Sequence, residues 1–280
     1  MALLAVVTHE FDAFLAQDPS GVSTSGYLLF QVLEALNEMG HRWRLSAGLE
    51  APPADAAILH VDATQVPKAY LALARRYPVA INFGARDISK RRIGKGLLKP
   101  GDDWAGPVIV KTNLNCFGQA ELAANARATI VGRRPPYEVT PTRLQHYPIL
   151  SGLSEVPDAF WSDQSLVVQR FLPERDPEGY ALRVWLFAGA RERCTRHVSP
   201  DPFVKGDRVI SRRLVDVPPE IRAERERLGF DFGKFDFVVH DGEPILLDAN
   251  RTPTMSARIA QYIKEGVQNL ALGLADMLPR

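Results

Sequence analysis

The segment that most limits the possible folds of this chain is residues 234–254, KFDFVVHDGEPILLDANRTPT, which reads as a β-hairpin with acidic groups on both arms. The Asp241-Gly242 pair between two apolar runs is typical of a tight hairpin turn. Asp236 lies on the first arm, and Asp248 and Asn250 lie on the second. Because strand side chains alternate between faces, Asp248 and Asn250 share a face if the strand continues through them.

The turn decides whether Asp236 joins that face. A two-residue loop would pair residue 236 with residue 247 and point Asp236 away, whereas a three-residue loop with a glycine bulge would bring Asp236 and Asp248 to one face. Two carboxylates and an amide on one face are hard oxygen ligands that suit Mg²⁺. The alternative is a pair of solvent-facing acids, but the apolar neighbours Phe235 and Phe237 indicate a packed hairpin. We therefore expect a bulged turn and a magnesium site of Asp236, Asp248 and Asn250.

Composition narrows the class of protein. The 280 residues are 46% hydrophobic and 24% charged, which is ordinary for a soluble globular chain of one large or two smaller domains. A net charge of +1 gives no general attraction to nucleic acid or to a membrane surface, and no apolar run approaches membrane-spanning length. Two distant cysteines and no CxxC motif argue against structural zinc or a disulfide framework, and they suit a cytoplasmic protein.

The first eighty residues alternate between strand and helix patterns, which indicates a small parallel α/β layer. The predicted strands are 2–7, 42–46, 57–61 and 78–83, and the predicted helices are 27–39 and 67–76. The character changes at Gly84, where a basic, turn-rich segment begins. Beyond it, strands 107–111, 165–171 and 180–188, helices 118–128, 218–228 and 256–278, and the hairpin predict an α+β part rich in antiparallel pairs.

A second anchor for chemistry is Lys111, which ends the apolar strand PVIVK at residues 107–111. A polar loop and a helix follow it, and lysines and loop N–H groups before a helix both suit phosphate oxygens. The alternative is an exposed lysine after a core strand. No Walker A motif, GxGxxG motif or nucleophile elbow is present, and the six histidines are scattered.

In order along the chain, PVIVK, VVQRFLPE, ALRVWLF, FDF and LLDAN resemble the ATP-grasp superfamily, which includes D-alanine–D-alanine ligase, glutathione synthetase and ribosomal-protein glutamate ligases. The resemblance covers roughly residues 80–260. It implies an α/β plus α+β chain with an ATP-grasp fold and an N-terminal Rossmann-like pre-ATP-grasp domain. The domains are then 1–84 and 85–280. The second divides into a lysine and loop subdomain at about 85–165 and a magnesium-hairpin subdomain at about 166–280.

The resemblance also implies roles for individual residues. Lys111 would contact the α- and β-phosphates, with Lys90 as the second lysine in preference to Lys95. The loop 112–118 would cover the phosphates, although it is usually glycine-rich and here offers only Gly118. Arg183 would meet the transferred phosphate, and Arg251 would reach substrate or phosphate. The nucleotide-binding residues of the hinge would be Gln169, Arg170, Phe171 and Leu172 for adenine and Glu174 for ribose, and the magnesium ligands would be Asp236, Asp248 and Asn250.

These roles imply an ATP- and Mg²⁺-dependent enzyme that joins a carboxylate to an amine through an acylphosphate. A kinase on the same fold and a nucleotide-binding module with little catalysis are the alternatives, and the glycine-poor loop favours the module slightly. A further alternative is an α/β protein with merely exposed hairpin acids. The expected partner is a small-molecule or peptide substrate, without nucleic acid or membrane. The substrate's identity and the oligomeric state, a homodimer included, are left open.

Overall fold

A computed structural model describes residues 1–17, 23–142, 144–255 and 263–279. Its strands are β1 (Leu3–Thr8), β2 (Ala16–Gln17), β3 (Ser23–Thr24), β4 (Arg42–Ala47), β5 (Ala56–Leu59), β6 (Ala80–Ile81), β7 (Leu97–Leu98), β8 (Val108–Thr112), β9 (Ile149–Leu150), β10 (Leu166–Arg170), β11 (Glu174–Asp176), β12 (Gly179–Ala188), β13 (Arg191–Ser199), β14 (Ser211–Leu214), β15 (Phe232–His240) and β16 (Glu243–Asn250). Its helices are α1 (Leu28–Glu38), α2 (Lys68–Ala74), α3 (Lys90–Ile93), α4 (Gln119–Ile130), α5 (Asp158–Ser162), α6 (Pro219–Leu228) and α7 (Lys264–Asp276). Two 3₁₀ turns occupy Asn115–Gly118 and Leu153–Glu155.

The N-terminal part forms the expected parallel layer, with strand order β4-β1-β5-β6. The apolar runs of β1 and β5 are buried along nearly their whole length, as strands covered on both faces must be. Helix α1 presents its buried face, with Leu29, Val32 and Leu36, to the core. The alternating strand and helix patterns of the sequence therefore predict this layer correctly.

The remaining strands form two antiparallel sheets, ordered β7-β10-β8-β9 and β14-β13-β12-β15-β16, with β11 paired to β12. Strand β13 was not predicted, because RERCTRHVS is mostly polar and only partly buried. Its long pairing with β12 supplies the support that its composition lacks. The predicted last helix is confirmed over α7, and residues 256–262 of that prediction lie outside the described part of the chain.

The hairpin of β15 and β16 carries a bulge, but not where the sequence predicted it. His240 pairs with Glu243, so the turn is a strict two-residue loop at Asp241 and Gly242, which both have positive φ. The register shifts between Asp236 and Phe237, and Leu247 is the extra residue. Asp236 therefore lies directly opposite Asp248. The expected shared face is confirmed, and the expected bulged turn is wrong.

Buried polar contacts join the N-terminal layer to the C-terminal sheet. The Asn82 side chain, which is fully buried, accepts hydrogen bonds from the N–H groups of Asp231 and Phe232 and donates to the Phe232 carbonyl. The N-terminal core also includes Leu186 and Phe232 of the C-terminal sheet together with the buried face of α7. The two parts therefore share one apolar core at this joint. No helix of the described ranges is long and apolar enough to cross a membrane.

Candidate active site

A cavity of about 350 Å³ lies between the β8–β10 sheet and the β15–β16 hairpin. Strand alternation explains which hairpin residues face it. Asp236 and Val238 of β15 line the cavity, while Phe235 and Phe237 point to the opposite face and are completely buried in the core. The bulge turns two successive residues of β16, Leu247 and Asp248, toward the same cavity.

Each hairpin carboxylate has its own lysine. Lys234 Nζ donates to Asp236 Oδ2 at 2.7 Å, and Lys90 Nζ, from α3, donates to Asp248 Oδ1. Burial raises the pKa of Asp236 despite the opposing effect of Lys234. Burial acts in the same direction on Asp248, but Lys90 and Lys234 hold the pKa of that carboxyl below its usual value. The site therefore keeps Asp248 as a carboxylate beside a buried ammonium group.

The donor set fits a hard divalent cation. Asp236 Oδ1 is buried and has no hydrogen-bond partner. The residue directly opposite Asp248 therefore has an unused carboxylate oxygen. Within the described ranges no group of three or more His, Cys, Asp or Glu side chains is arranged for a metal ion. Two carboxylates with remaining positions left to water or phosphate are the pattern that suits Mg²⁺ rather than a fully protein-built cage.

Asn250, the third predicted ligand, lies on β16 opposite Lys234. Its side-chain oxygen accepts hydrogen bonds from the N–H of Thr252 at 2.8 Å and from the Thr252 hydroxyl at 3.2 Å. Asp236 and Asp248 are therefore brought together, whereas Asn250 is held toward the following turn.

Lys111 of β8 and Gln169 of β10 lie on paired strands beside the cavity. Lys111 lines the cavity, and its Nζ donates to Gln169 Oε1 at 3.1 Å. Burial and then Lys90 lower the pKa of Lys111 to about 8. Gln169 is only 2% exposed, donates to the Lys95 carbonyl at 2.8 Å and is absent from the described cavity lining. Gln169 thus orients the lysine from behind.

The predicted hinge lies at the cavity wall. Arg170, Phe171 and Leu172 line the cavity, as residues that contact a nucleotide base must. The N–H of Phe171 donates to the Pro107 carbonyl, and the Arg170 guanidinium stacks over the Trp104 ring at 4.7 Å. These contacts anchor Arg170 and Phe171 to the segment that precedes β8.

Glu174 and Arg183 are placed differently from the prediction. Glu174 accepts two hydrogen bonds from Arg183, one from Arg196 at 2.6 Å and one from the N–H of Val239. Burial would raise the pKa of Glu174, but these bonds lower it. Neither Glu174 nor Arg183 is among the described residues that line the cavity. Their expected contacts with ribose and phosphate are replaced here by a buried ion-pair network that fixes β11 against β12 and β15.

Arg251 is also corrected. Its side chain is fully buried, and the guanidinium donates to the carbonyls of Val61, Ala63 and Ala85. Burial lowers its pKa to about 10. Because every one of these acceptors belongs to the N-terminal part or its junction, Arg251 fastens the hairpin to that layer and does not reach the cavity.

The loop after Lys111 has an unusual backbone. Cys116, Phe117 and Gly118 all have positive φ, at 44°, 60° and 70°, and two of them are not glycine. The Phe117 ring stacks on Tyr147 with centroids 4.3 Å apart, and the Tyr147 hydroxyl lies 3.1 Å from the Thr112 hydroxyl. The strain of the left-handed residues is thus offset by an aromatic stack at the cavity wall.

Sequence reasoning missed Lys234, although a signal for it exists. Lys234 lies two residues before Asp236 on the same strand, so alternation alone places both side chains on one face. It also missed Phe203, Val204 and Lys205, which line the cavity from the segment between β13 and β14. That segment has no strand or helix pattern from which its position could be inferred.

Comparisons with known proteins find the fold but no close relative. No family model matches the chain, and no curated protein matches it. Among solved structures, the ATP-grasp ligase PsnB complexed with a minimal-precursor variant, Mg and ADP is 12% identical, with 98% of each chain covered and a TM-score of 0.54. D-alanine–D-alanine ligase from Bacillus anthracis complexed with ATP is 12% identical, covering 99% of this chain and 97% of that chain, with a TM-score of 0.51.

A third structure, a RimK domain ATP-grasp protein from Sphaerobacter thermophilus, is 14% identical, with 99% of each chain covered and a TM-score of 0.50. The expected ATP and Mg²⁺ agree with the ligands of the first two neighbours. Full-length coverage at such low identity is a finding about the fold. The resemblance drawn from the motifs is confirmed at that level, and the chain has the fold of the ATP-grasp superfamily.

Proposed function

We propose that this protein is an ATP- and Mg²⁺-dependent ligase that joins a carboxylate to an amine through an acylphosphate. The observation that carries the proposal is the facing pair Asp236 and Asp248, which meets Lys90 and Lys111 in one cavity below the hinge. Acids, ammonium groups and an apolar wall in one cavity suit a metal-bound triphosphate with an attached base.

The described residues divide the work by position. Arg170, Phe171 and Leu172 bound the end of the cavity suited to the base, and Lys111 and Lys90 provide fixed positive charge for phosphate oxygens. Asp236 and Asp248 would hold the Mg²⁺, which supplies charge neutralisation at the transferred phosphate. The proposed N-terminal Rossmann-like domain, residues 1–84, would form the opposite wall of the substrate site.

The substrate carboxylate attacks the γ-phosphorus of ATP, the bond to ADP breaks, and an acylphosphate forms. The amine then attacks the acyl carbon, and phosphate leaves as the amide forms. Both steps develop negative charge on oxygen, and we assign its stabilisation to Lys90 and Lys111, which line this cavity. These two steps need no nucleophilic side chain of the protein.

The test is a screen of carboxylates and amines for Mg²⁺-dependent ADP release, with peptides included because a neighbour of this fold, the macrocyclase MdnC, is bound with a precursor peptide. A ligase yields ADP, phosphate and an amide in equal amounts when both substrates are present. A phosphorylated product without free phosphate would indicate the kinase instead. ATP binding without substrate-dependent ADP release would indicate a nucleotide-binding module.

A further inference from the structure

Lys234 bonds to a hairpin carboxylate of the described site but has no part in the proposed function. It comes from β15, two residues before Asp236, and its Nζ lies 2.7 Å from Asp236 Oδ2. Its side chain is 27% exposed and that of Asp236 is 15% exposed, so the pair is largely shielded from water. An ammonium held this closely by a shielded carboxylate is a fixed part of the site.

Each carboxylate of the hairpin pair has one ammonium partner. Lys90 pairs with Asp248, Lys234 pairs with Asp236, and Lys111 bonds to the neutral Gln169. These two carboxylates and three ammonium groups sum to +1 before any metal binds, and Arg170 and Lys205 of the cavity lining add further positive charge. One oxygen, Asp236 Oδ1, remains free of hydrogen-bond partners, and it belongs to the residue directly opposite Asp248.

Two-metal phosphoryl-transfer sites place divalent ions about 3.5–4 Å apart and use carboxylates to hold both. Here Asp236 Oδ2 bonds to Lys234 and Asp248 Oδ1 bonds to Lys90, so each carboxylate keeps one oxygen outside these ion pairs, which is enough to hold one ion between them. A second ion beside the ammonium would meet like charge at short range.

We propose that Lys234 is a built-in cation that takes the place of one metal ion, so that this site binds a single divalent ion. The inference rests on the proposed function, because it assigns Lys234 to the same metal and nucleotide site. Lys234 is thereby a specificity-determining residue: it fixes the number of ions and weakens the hold of Asp236 on the ion that remains.

The experiment measures how much Mn²⁺ the nucleotide-free chain binds and how tightly. Binding is detected as a decrease in the spectroscopic signal of free Mn²⁺. Wild type is expected to bind one Mn²⁺. Lys234→Met and Lys234→Gln are expected to bind Mn²⁺ about tenfold more tightly or to bind a second ion, since groups that contact metal ligands alter affinity by about 10–100-fold. Lys234→Arg, which keeps the charge, should retain one ion and an affinity closer to that of wild type.

Two controls separate this effect from a general change of the fold. Lys95→Met removes a lysine that pairs with Glu224 outside the cavity, so it should not change Mn²⁺ affinity. Adding Asp236→Asn to Lys234→Gln should remove the gain, because the freed oxygen is lost. Thermal melts in metal-free buffer establish that each variant is folded, and the two neutral variants provide independent chances of a folded protein.

Unchanged or weaker Mn²⁺ binding by both neutral variants would overturn the inference, as would two ions bound to wild type. Absence of binding by wild type and neutral variants alike would overturn it together with the magnesium part of the proposed function. The expected Mn²⁺ pattern without any substrate-dependent ADP release would leave the inference standing and remove the ligase activity alone.

Discussion

Two pairs of aspartates in this protein differ in the groups that donate hydrogen bonds to their carboxylates. Asp236 and Asp248 of the hairpin line a cavity and bond to lysine ammonium groups. Asp12 and Asp62 of the N-terminal layer bond mainly to neutral donors. Asp12 Oδ2 accepts from the N–H groups of His9 and Asp62, and Asp62 accepts from the Tyr27 hydroxyl at 2.6 Å.

The N-terminal pair also reaches the hairpin, because the Thr252 hydroxyl donates to Asp62 Oδ1 at 2.7 Å. Burial raises the pKa of Asp12 to about 7, despite its two backbone hydrogen bonds. Neutral donors that belong to the fold cannot be exchanged for a ligand without loss of structure, whereas the hairpin pair keeps one buried oxygen, Asp236 Oδ1, that has no hydrogen-bond partner and can take a ligand. The comparison predicts that the hairpin pair serves chemistry and the N-terminal pair serves the joint between layers.

The largest expected effect is on the hairpin side. Asp248→Asn should reduce substrate-dependent ADP release by at least about 10³-fold, equivalent to ~4 kcal/mol in the activation free energy, since it removes a metal-holding carboxylate. Steady-state ADP production at saturating Mg²⁺ and ATP measures it. ADP release equal to that of wild type, from a variant with an unchanged melting temperature, would contradict the magnesium role of the hairpin.

Arg251 tests the link between the two regions. Arg251→Met should lower the free energy of unfolding by ~3 kcal/mol, because three buried carbonyls lose their donor at once. Urea unfolding followed by tryptophan fluorescence measures the change, and Arg251→Lys should recover part of it. A variant with wild-type stability but no ADP release would instead return Arg251 to a catalytic role.

His60 lies edge-on to the ring of Tyr27, whose hydroxyl bonds to Asp62, with the ring centroids 4.9 Å apart. Burial lowers its pKa from 6.5 to about 3, so between these values the unfolded chain takes up a proton that the folded chain does not. The contribution of His60 to the free energy of unfolding is therefore lost as pH falls below 6.5, and the loss is ~2 kcal/mol between pH 7 and pH 5.

Asp12 acts in the opposite direction, because its raised pKa makes its contribution to stability grow as pH falls from 7. The difference between wild type and His60→Phe isolates the histidine, since Asp12 is common to both. Urea unfolding should show that the free energy of unfolding of wild type minus that of His60→Phe falls by ~2 kcal/mol from pH 7 to pH 5. An identical pH dependence in the two proteins would mean that His60 is not held neutral.

The smallest expected effect is that of Asp62→Asn. The amide keeps one acceptor oxygen for Thr252 or Tyr27 but not two, so the free energy of unfolding should fall by ~1 kcal/mol. The affinity for ATP, measured by calorimetry, should stay within about twofold of wild type, a difference of ~0.4 kcal/mol. A loss of ATP affinity or of ADP release well beyond twofold would remove the distinction between the two pairs.

Patterns local in sequence predicted much of this protein. The parallel N-terminal layer follows from alternating apolar strands and an amphipathic helix. Lys111 at the end of β8 and the hairpin acids were found from single strands and a turn, and the structure brings them to one cavity. Periodicity, turn chemistry and side-chain alternation are properties of a few neighbouring residues, so they can be read from the chain directly.

Partners distant in sequence decided the rest. Glu174 and Arg183 meet each other, and Arg251 meets carbonyls nearly two hundred residues earlier in the chain, because the sheets stack in a way that no local pattern encodes. The bulge at Leu247 lies within the ladder of β15 and β16 and not at the turn. The sequence alone determined that the two carboxylates occupy strand positions and that Lys234 shares a face with Asp236. Only tertiary packing decided that Lys90 neutralises Asp248 and that Lys111 lines the same cavity, because contacts between residues distant in sequence are properties of the assembled layers.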